Sequence, residues 1–170
     1  MLIRPGRVSD VNPLGQILAE PEVRLWWGDP EPAEEIQARL TDDEGPYRLV
    51  LEVDGQVAGA IEYHEENAPD YRHAGIDIFL SDRVSGRGIG EQAVRLLASF
   101  LVGERGHHRL TIDPAASNAR AIRCYQKVGF EPVGLMREYE RGADGSFHDG
   151  MLMDLLARDL RLAAAPRAGS

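Results

Sequence analysis

Apolar residues recur along this chain with two periods, and the alternation between them predicts the elements. From Val11 to Leu18 they fall at Val11, Leu14, Ile17 and Leu18, one face of a helix, with Ser9 or Asp10 as its cap and Pro13 in the tolerant first turn. Pro21 is expected to end that helix, and a second short one runs from near Pro32 to about Leu40. Leu2 to Arg4 reads as a short opening strand. Tyr47 to Val53 and Gln56 to Tyr63 read as strands joined at Asp54-Gly55, whose residues accept positive φ and so favour a tight hairpin. After a polar stretch from Glu65 to Arg72, Gly75 to Leu80 (GIDIFL) makes another strand. A helix then presents Ile89, Ala93, Leu96, Leu97, Phe100 and Leu101. Arg109 to Ile112 is a strand, and Ala121, Ile122, Tyr125 and Val128 lie on one side of a last helix ended by Gly129. Val133 to Glu140 and Phe147 to Leu156 form a closing hairpin around Ala143-Asp144-Gly145-Ser146.

Strands thus alternate with helices over 170 residues, enough for one α/β domain over residues 1–160, followed by a tail at 161–170 expected to be flexible. The formal net charge of −9 argues against non-specific nucleic-acid binding, which needs a basic face, and suits a cationic partner. The start MLIRPGRVSD has no apolar run after its first residues, so no signal peptide is expected. No stretch approaches the ~18 apolar residues of a membrane span, so no membrane partner is expected. One cysteine, Cys124, leaves no intramolecular disulfide and fits a reducing, cytoplasmic setting.

The segment Arg83-Val84-Ser85-Gly86-Arg87-Gly88-Ile89-Gly90 follows a strand and opens a helix. Its glycines let backbone amides approach a ligand. The unpaired amides of the helix's first turn suit a pyrophosphate, with Arg83 and Arg87 as additional donors. The same turn would also serve as a plain structural connection. The nucleoside-triphosphate loop GxxxxGK[ST] is excluded, since the only lysine is Lys127, and Gly86-x-Gly88-x-Gly90 has the wrong spacing for a dinucleotide fingerprint.

Two spaced motifs together resemble those of the GCN5-related N-acetyltransferase (GNAT) family. Arg83-Val84-Ser85-Gly86-Arg87-Gly88 matches [QR]-x-x-G-x-[GA], and Asn118, Ala121, Tyr125, Lys127, Gly129 and Phe130 match N-x-x-A-x-x-x-Y-x-K-x-G-F. The resemblance implies a mixed, twisted sheet flanked by helices and splayed between two parallel strands. It implies acetyl-coenzyme A as cosubstrate in the splay, held by Ile78, Phe79 and Leu80, by Arg83, Ser85, Gly86, Arg87, Gly88, Ile89 and Gly90, and by Asn118, Ala121 and Tyr125. Direct acetyl transfer to an amine would use Asp77 as base or amine anchor and Tyr125 as the acid that protonates the departing thiolate. Asp77 would otherwise be a strand residue facing solvent, Tyr125 a core tyrosine and Cys124 structural. Glu62 and His64 are weaker candidates for the base. His107 and His108 match no metal spacing, and no metal is expected.

Within the family the chain looks most like aminoglycoside 6′-N-acetyltransferases, through Trp26-Trp27-Gly28, Gly75-Ile76-Asp77 and Asp113-Pro114-Ala115-Ala116-Ser117-Asn118. That resemblance implies a cationic small-molecule amine held by Asp77, Asp113 and the Trp26-Trp27 segment, which is read either as an aromatic wall or as a loop over the core. The acidic residues Glu62, Glu65, Glu66 and Asp70 are further candidates. Other acceptors are a protein amino terminus, a siderophore precursor or a polyamine, and an acyl-coenzyme A sensor is the non-enzymatic alternative. A monomer or homodimer is expected.

Overall fold

The computed structural model describes residues 1–42, 44–142 and 144–160. The expected turn residue Ala143 and the tail 161–170 lie outside the described residues. In chain order the elements are β1 (Leu2–Pro5), α1 (Val11–Leu18), α2 (Pro21–Trp27), α3 (Ala33–Thr41), β2 (Tyr47–Val53), β3 (Gln56–Glu66), β4 (His73–Leu80), α4 (Ile89–Gly103), β5 (Arg109–Ile112), α5 (Ala119–Val128), β6 (Glu131–Arg141) and β7 (Phe147–Leu156). The strands form one sheet in the order β1-β2-β3-β4-β5-β7-β6. Every neighbouring pair is antiparallel except β4 with β5.

Strand alternation sends successive side chains to opposite faces, and both faces are covered. Val50, Ala60 and Phe79 pack with Val11, Leu14, Ile17, Leu18, Val23 and Ile36 of the N-terminal helices. Leu51 and Ile61, next in sequence to Val50 and Ala60, and Ile76, three residues before Phe79, pack instead with Ala93, Val94, Leu97 and Leu101 of α4 and with Tyr125 and Val128 of α5. The hairpin between β2 and β3 turns at Asp54 and Gly55, with φ of 54° and 76°.

The structure departs from the sequence pattern in three places. Pro21 does not only end α1: it occupies the first turn of α2, where its missing N–H costs nothing, so Trp26 and Trp27 stand on a helix and not in a loop. On α4 the buried stripe is Ile89, Ala93, Val94, Leu97, Ala98 and Leu101, while Leu96 and Phe100 turn outward. Strand β3 continues past Tyr63 to Glu66, into the start of the polar stretch, because β4 begins at His73 and pairs with it rung by rung.

Candidate active site

Strands β4 and β5 pair only at Ala74↔Leu110 and Gly75↔Thr111, and beyond that rung they part. The opening leads into a cavity of about 420 Å³. Its walls are Ile78, Phe79, Leu80 and Ser81 from the end of β4, Ser85, Gly86, Gly88, Ile89 and Gly90 from the loop and α4, Asn118, Ala121, Cys124 and Tyr125 from α5, and Trp26 and Trp27 from α2. Buried Val84 anchors the loop. Gly86 and Gly88 have φ of 73° and 74°, conformations that a side chain disfavours, and open space lies where a Cβ would stand. No side chain caps α4, so its first-turn amides and the positive end of its dipole are left for an anion.

The two arginines of the loop are not on that wall. The Arg83 guanidinium donates to Gln56 Oε1 (2.9 Å) and to the Val57 carbonyl (2.7 Å), and Arg87 pairs with Asp54 at 3.0 Å, so both brace the β2–β3 hairpin. Arg120, Arg123 and Lys127 line the cavity instead. Their spacing of three and four residues sets all three on one face of α5. Asn118 fixes the start of that helix, its Oδ1 accepting from the Ala121 N–H at 3.0 Å.

Asp77 lies just past the splay, partly exposed, on the face opposite Ile76 and Ile78. Burial, and then the negative charges of Asp113, Glu62 and Glu140, push its carboxyl up to about 7. Glu62 is its direct partner across β3, and Glu62 is in turn paired with Arg48 across β2. His64 lies over Gly75, where a Cβ would come within 2.0 Å of the imidazole Cε1. The Tyr125 phenol is driven above its ordinary range by burial, with Cys124, Asp77 and Asp113 adding to it. It is therefore a protonated donor throughout the working pH range.

Two residues that sequence reasoning passed over, Tyr139 and Glu140, form an acidic wall with Asp77 and Asp113, beside the cavity and not among the residues that line it. The register of β6 on β7 jumps from Met136↔Gly150 to Glu140↔His148, a bulge in which Glu138 takes φ 49° and its N–H donates to Asp149 Oδ1 at 2.9 Å. The bulge lays Tyr139 against Gly150 and brings Glu140 to the Asp77 side. Tyr139 is pushed up to about 12 by the adjoining Asp113 carboxylate and then by burial. The Glu140 carboxyl is raised by burial and by Asp113.

Glu65 belongs elsewhere, since Arg105 holds it at 2.6 Å and His107 at 2.6 Å near the start of β5. Glu66 accepts from the Ala68 N–H, and neither Glu66 nor Asp70 joins the Asp77 wall. Trp27 lies edge-on to Phe79, ring centroids 4.8 Å apart, while both tryptophans keep part of their surface on the cavity. Among the described residues no group of three His, Cys, Asp or Glu could hold a metal ion, and no helix is long and apolar enough to cross a membrane.

The sequence model of the "Acetyltransferase (GNAT) family" matches residues 14–130 of this chain. The chain belongs to the GNAT family. Relatives of this GNAT protein differ in acceptor. It is 30% identical over 142 residues to the L-amino acid N-acetyltransferase AaaT of Escherichia coli (strain K12), covering 82% of this chain and 88% of that one. It is 41% identical over 73 residues to the aminoglycoside N(6′)-acetyltransferase type 1 of Klebsiella pneumoniae, a match covering 42% of this chain and 35% of that protein. A crystal structure of an aminoglycoside acetyltransferase in complex with coenzyme A superposes with a TM-score of 0.75 over 92% of this chain and 95% of that one. At 24% identity that likeness is one of fold. This GNAT protein is an acetyltransferase acting on amines.

Proposed function

We propose that the protein transfers acetyl from acetyl-coenzyme A directly to a primary amine of a polycationic small molecule, foremost the 6′-amine of an aminoglycoside. The observation that carries this reading is the wall formed by Asp77, Asp113 and Glu140 where β4 and β5 part. Such a wall suits an acceptor with several ammonium groups. A free amino acid would bring its carboxylate against the same wall, and the guanidiniums of Arg48 and Arg39 are already paired, Arg48 with Glu31 and Glu62 and Arg39 with Glu31 and Glu35. Trp26 and Trp27 add aromatic surface for a sugar or for a cation.

The cavity residues fit coenzyme A. Ser85, Gly86, Gly88 and the α4 amides receive the pyrophosphate, Arg120, Arg123 and Lys127 add charge, and Ile78, Leu80 and Ala121 offer apolar contact to its arm. The thioester, when bound, supplies the electrophilic acetyl carbon.

The chain's own groups then move protons. Asp77, ionised above about pH 7, accepts one proton from the acceptor's ammonium and frees its lone pair. Beyond Gly75 the β4 main chain on the β5 side has no strand partner, and its N–H groups donate to the carbonyl oxygen as charge builds there. As the carbon–nitrogen bond forms and the carbon–sulfur bond breaks, Tyr125 gives its proton to sulfur. The second proton lost by nitrogen restores that of Tyr125, so charge and atoms balance.

The test is thiol release from acetyl-coenzyme A with aminoglycosides that carry a 6′-amine or a 6′-hydroxyl, with spermidine and with L-amino acids alongside. Release with the 6′-amine and not with the 6′-hydroxyl is expected. Release confined to spermidine or to amino acids would overturn the aminoglycoside reading.

A further inference from the structure

Arg48, Glu62 and Asp77 form one rung across three adjacent strands, Arg48 opposite Glu62 and Glu62 opposite Asp77, all on one face of the sheet. The Arg48 side chain is wholly buried, at 0% exposure, and that of Glu62 nearly so at 6%. Arg48 Nε donates to Glu62 Oε1. Its two terminal nitrogens grip both oxygens of Glu31 at 2.7 and 2.9 Å. Glu31 belongs to the segment between α2 and α3, four residues past Trp27. The guanidinium also lies 5.8 Å over the ring of Phe79, the ring on which Trp27 packs. A buried ion triad costs desolvation that an apolar pair of similar volume would avoid, so holding β2 to β3 does not account for it.

We propose that Arg48 is a positioning residue of the acetyl-transfer site, acting on Asp77 through Glu62 and on the tryptophan-bearing segment through Glu31 while touching neither substrate. The proposal rests on Asp77 being the base. The groups facing Asp77 are Glu62 from β3, with His64 two residues on along the same face over Gly75, Asp113 beyond β5, Glu140 from β6 and the Tyr125 and Tyr139 phenols. Of the three carboxylates among them, Glu62 is the one bound to a wholly buried cation. Arg48 therefore sets how much of that negative charge Asp77 experiences. Arg39 lies farther out, 3.8 Å from Glu62 and 3.7 Å from Glu31, and is itself half exposed. It supplements the buried guanidinium without replacing its fork.

This arrangement predicts shifts of opposite sign, which loss of packing alone would not produce. The Asp77 carboxyl is followed by ¹³C NMR in uniformly labelled protein, its resonance assigned by its loss in Asp77→Asn. Arg48→Met leaves Glu62 uncompensated and moves the Asp77 midpoint up by about one pH unit. Glu62→Gln removes a facing negative charge and moves it down by a similar amount. Arg48→Lys keeps the charge but cannot hold two carboxylates at once. It leaves the midpoint near that of the parent and raises KM for the acceptor several-fold with little change in kcat. Should Arg48→Met fail to fold, Glu62→Gln and Arg48→Lys carry the test. Unmoved midpoints, or shifts of the same sign in Arg48→Met and Glu62→Gln, would overturn the proposal. An Asp77→Asn protein with full activity would instead overturn the assignment of the base.

Discussion

Asp77 and Asp113 each stand two residues past the last rung that joins their strands, Gly75↔Thr111, so the two carboxylates flank the splay from opposite sides. Asp113 is the largest charge acting on Asp77, second only to burial in raising its carboxyl. The point at which the sheet opens is thus also the point at which negative charge accumulates.

That accumulation has a stability consequence with a definite sign. Asp77 in the folded chain titrates near 7, above its ordinary value of 3.8. The folded state thus favours the protonated carboxyl, and stability is lost as pH rises through this window. Asp77→Asn is expected to match the parent at pH 4 and to exceed it at pH 8 by on the order of 2–4 kcal/mol. Urea unfolding at both pH values measures this. An equal difference at the two would show that ionisation is not the cause.

Tyr125→Phe removes the hydroxyl proposed to protonate the thiolate and leaves the ring packed near Phe130. A fall in kcat of about 10²-fold is expected, with acetyl-coenzyme A affinity nearly unchanged. A loss appearing in that affinity, with kcat preserved, would make the residue a binding group.

The cations that serve the cavity are those of α5. Arg123→Ala should weaken acetyl-coenzyme A binding about tenfold, with a smaller dependence on salt than the parent. Arg83→Ala, whose guanidinium is committed to Gln56 and Val57, should leave that affinity alone and lower the melting temperature. Calorimetry on the two variants distinguishes the roles, and a reversed pattern would return the loop arginines to the phosphates.

Trp27→Ala strips a cavity wall and the edge contact on Phe79. It is expected to cost about 2 kcal/mol of stability and to raise KM for the acceptor. Unchanged KM with reduced stability would limit the side chain to packing.

Much of this was legible in the sequence, for physical reasons that differ by residue. Asp54-Gly55 and the loop at Gly86 and Gly88 announce themselves because positive φ restricts residue choice. Asn118, Ala121 and Tyr125 stand out through a motif that resembles that of the GNAT family, and all three line the cavity. Pro21 was ambiguous, since the same ring that ends one helix is accepted in the first turn of the next. Arg83 and Arg87 adjoin the glycines in sequence, but adjacency does not say where a long side chain turns, and both guanidiniums are bonded to the β2–β3 hairpin. Arg120, Arg123 and Lys127 carried a readable helical spacing that was overlooked. Tyr139 and Glu140 had no such signal: the bulge that delivers them is made at Glu138, without a glycine to mark it. Nor does any local pattern predict that Arg48, Glu62 and Asp77 share a rung, because register is settled between strands.

The most direct test is the single-turnover rate of acetyl transfer to a 6′-amino aminoglycoside as a function of pH, in the parent and in Asp77→Asn. The rate in the parent is predicted to rise with pH about a midpoint near 7, and Asp77→Asn to lose about 10²-fold together with that rise. An Asp77→Asn protein that keeps both the rate and the midpoint would contradict the account.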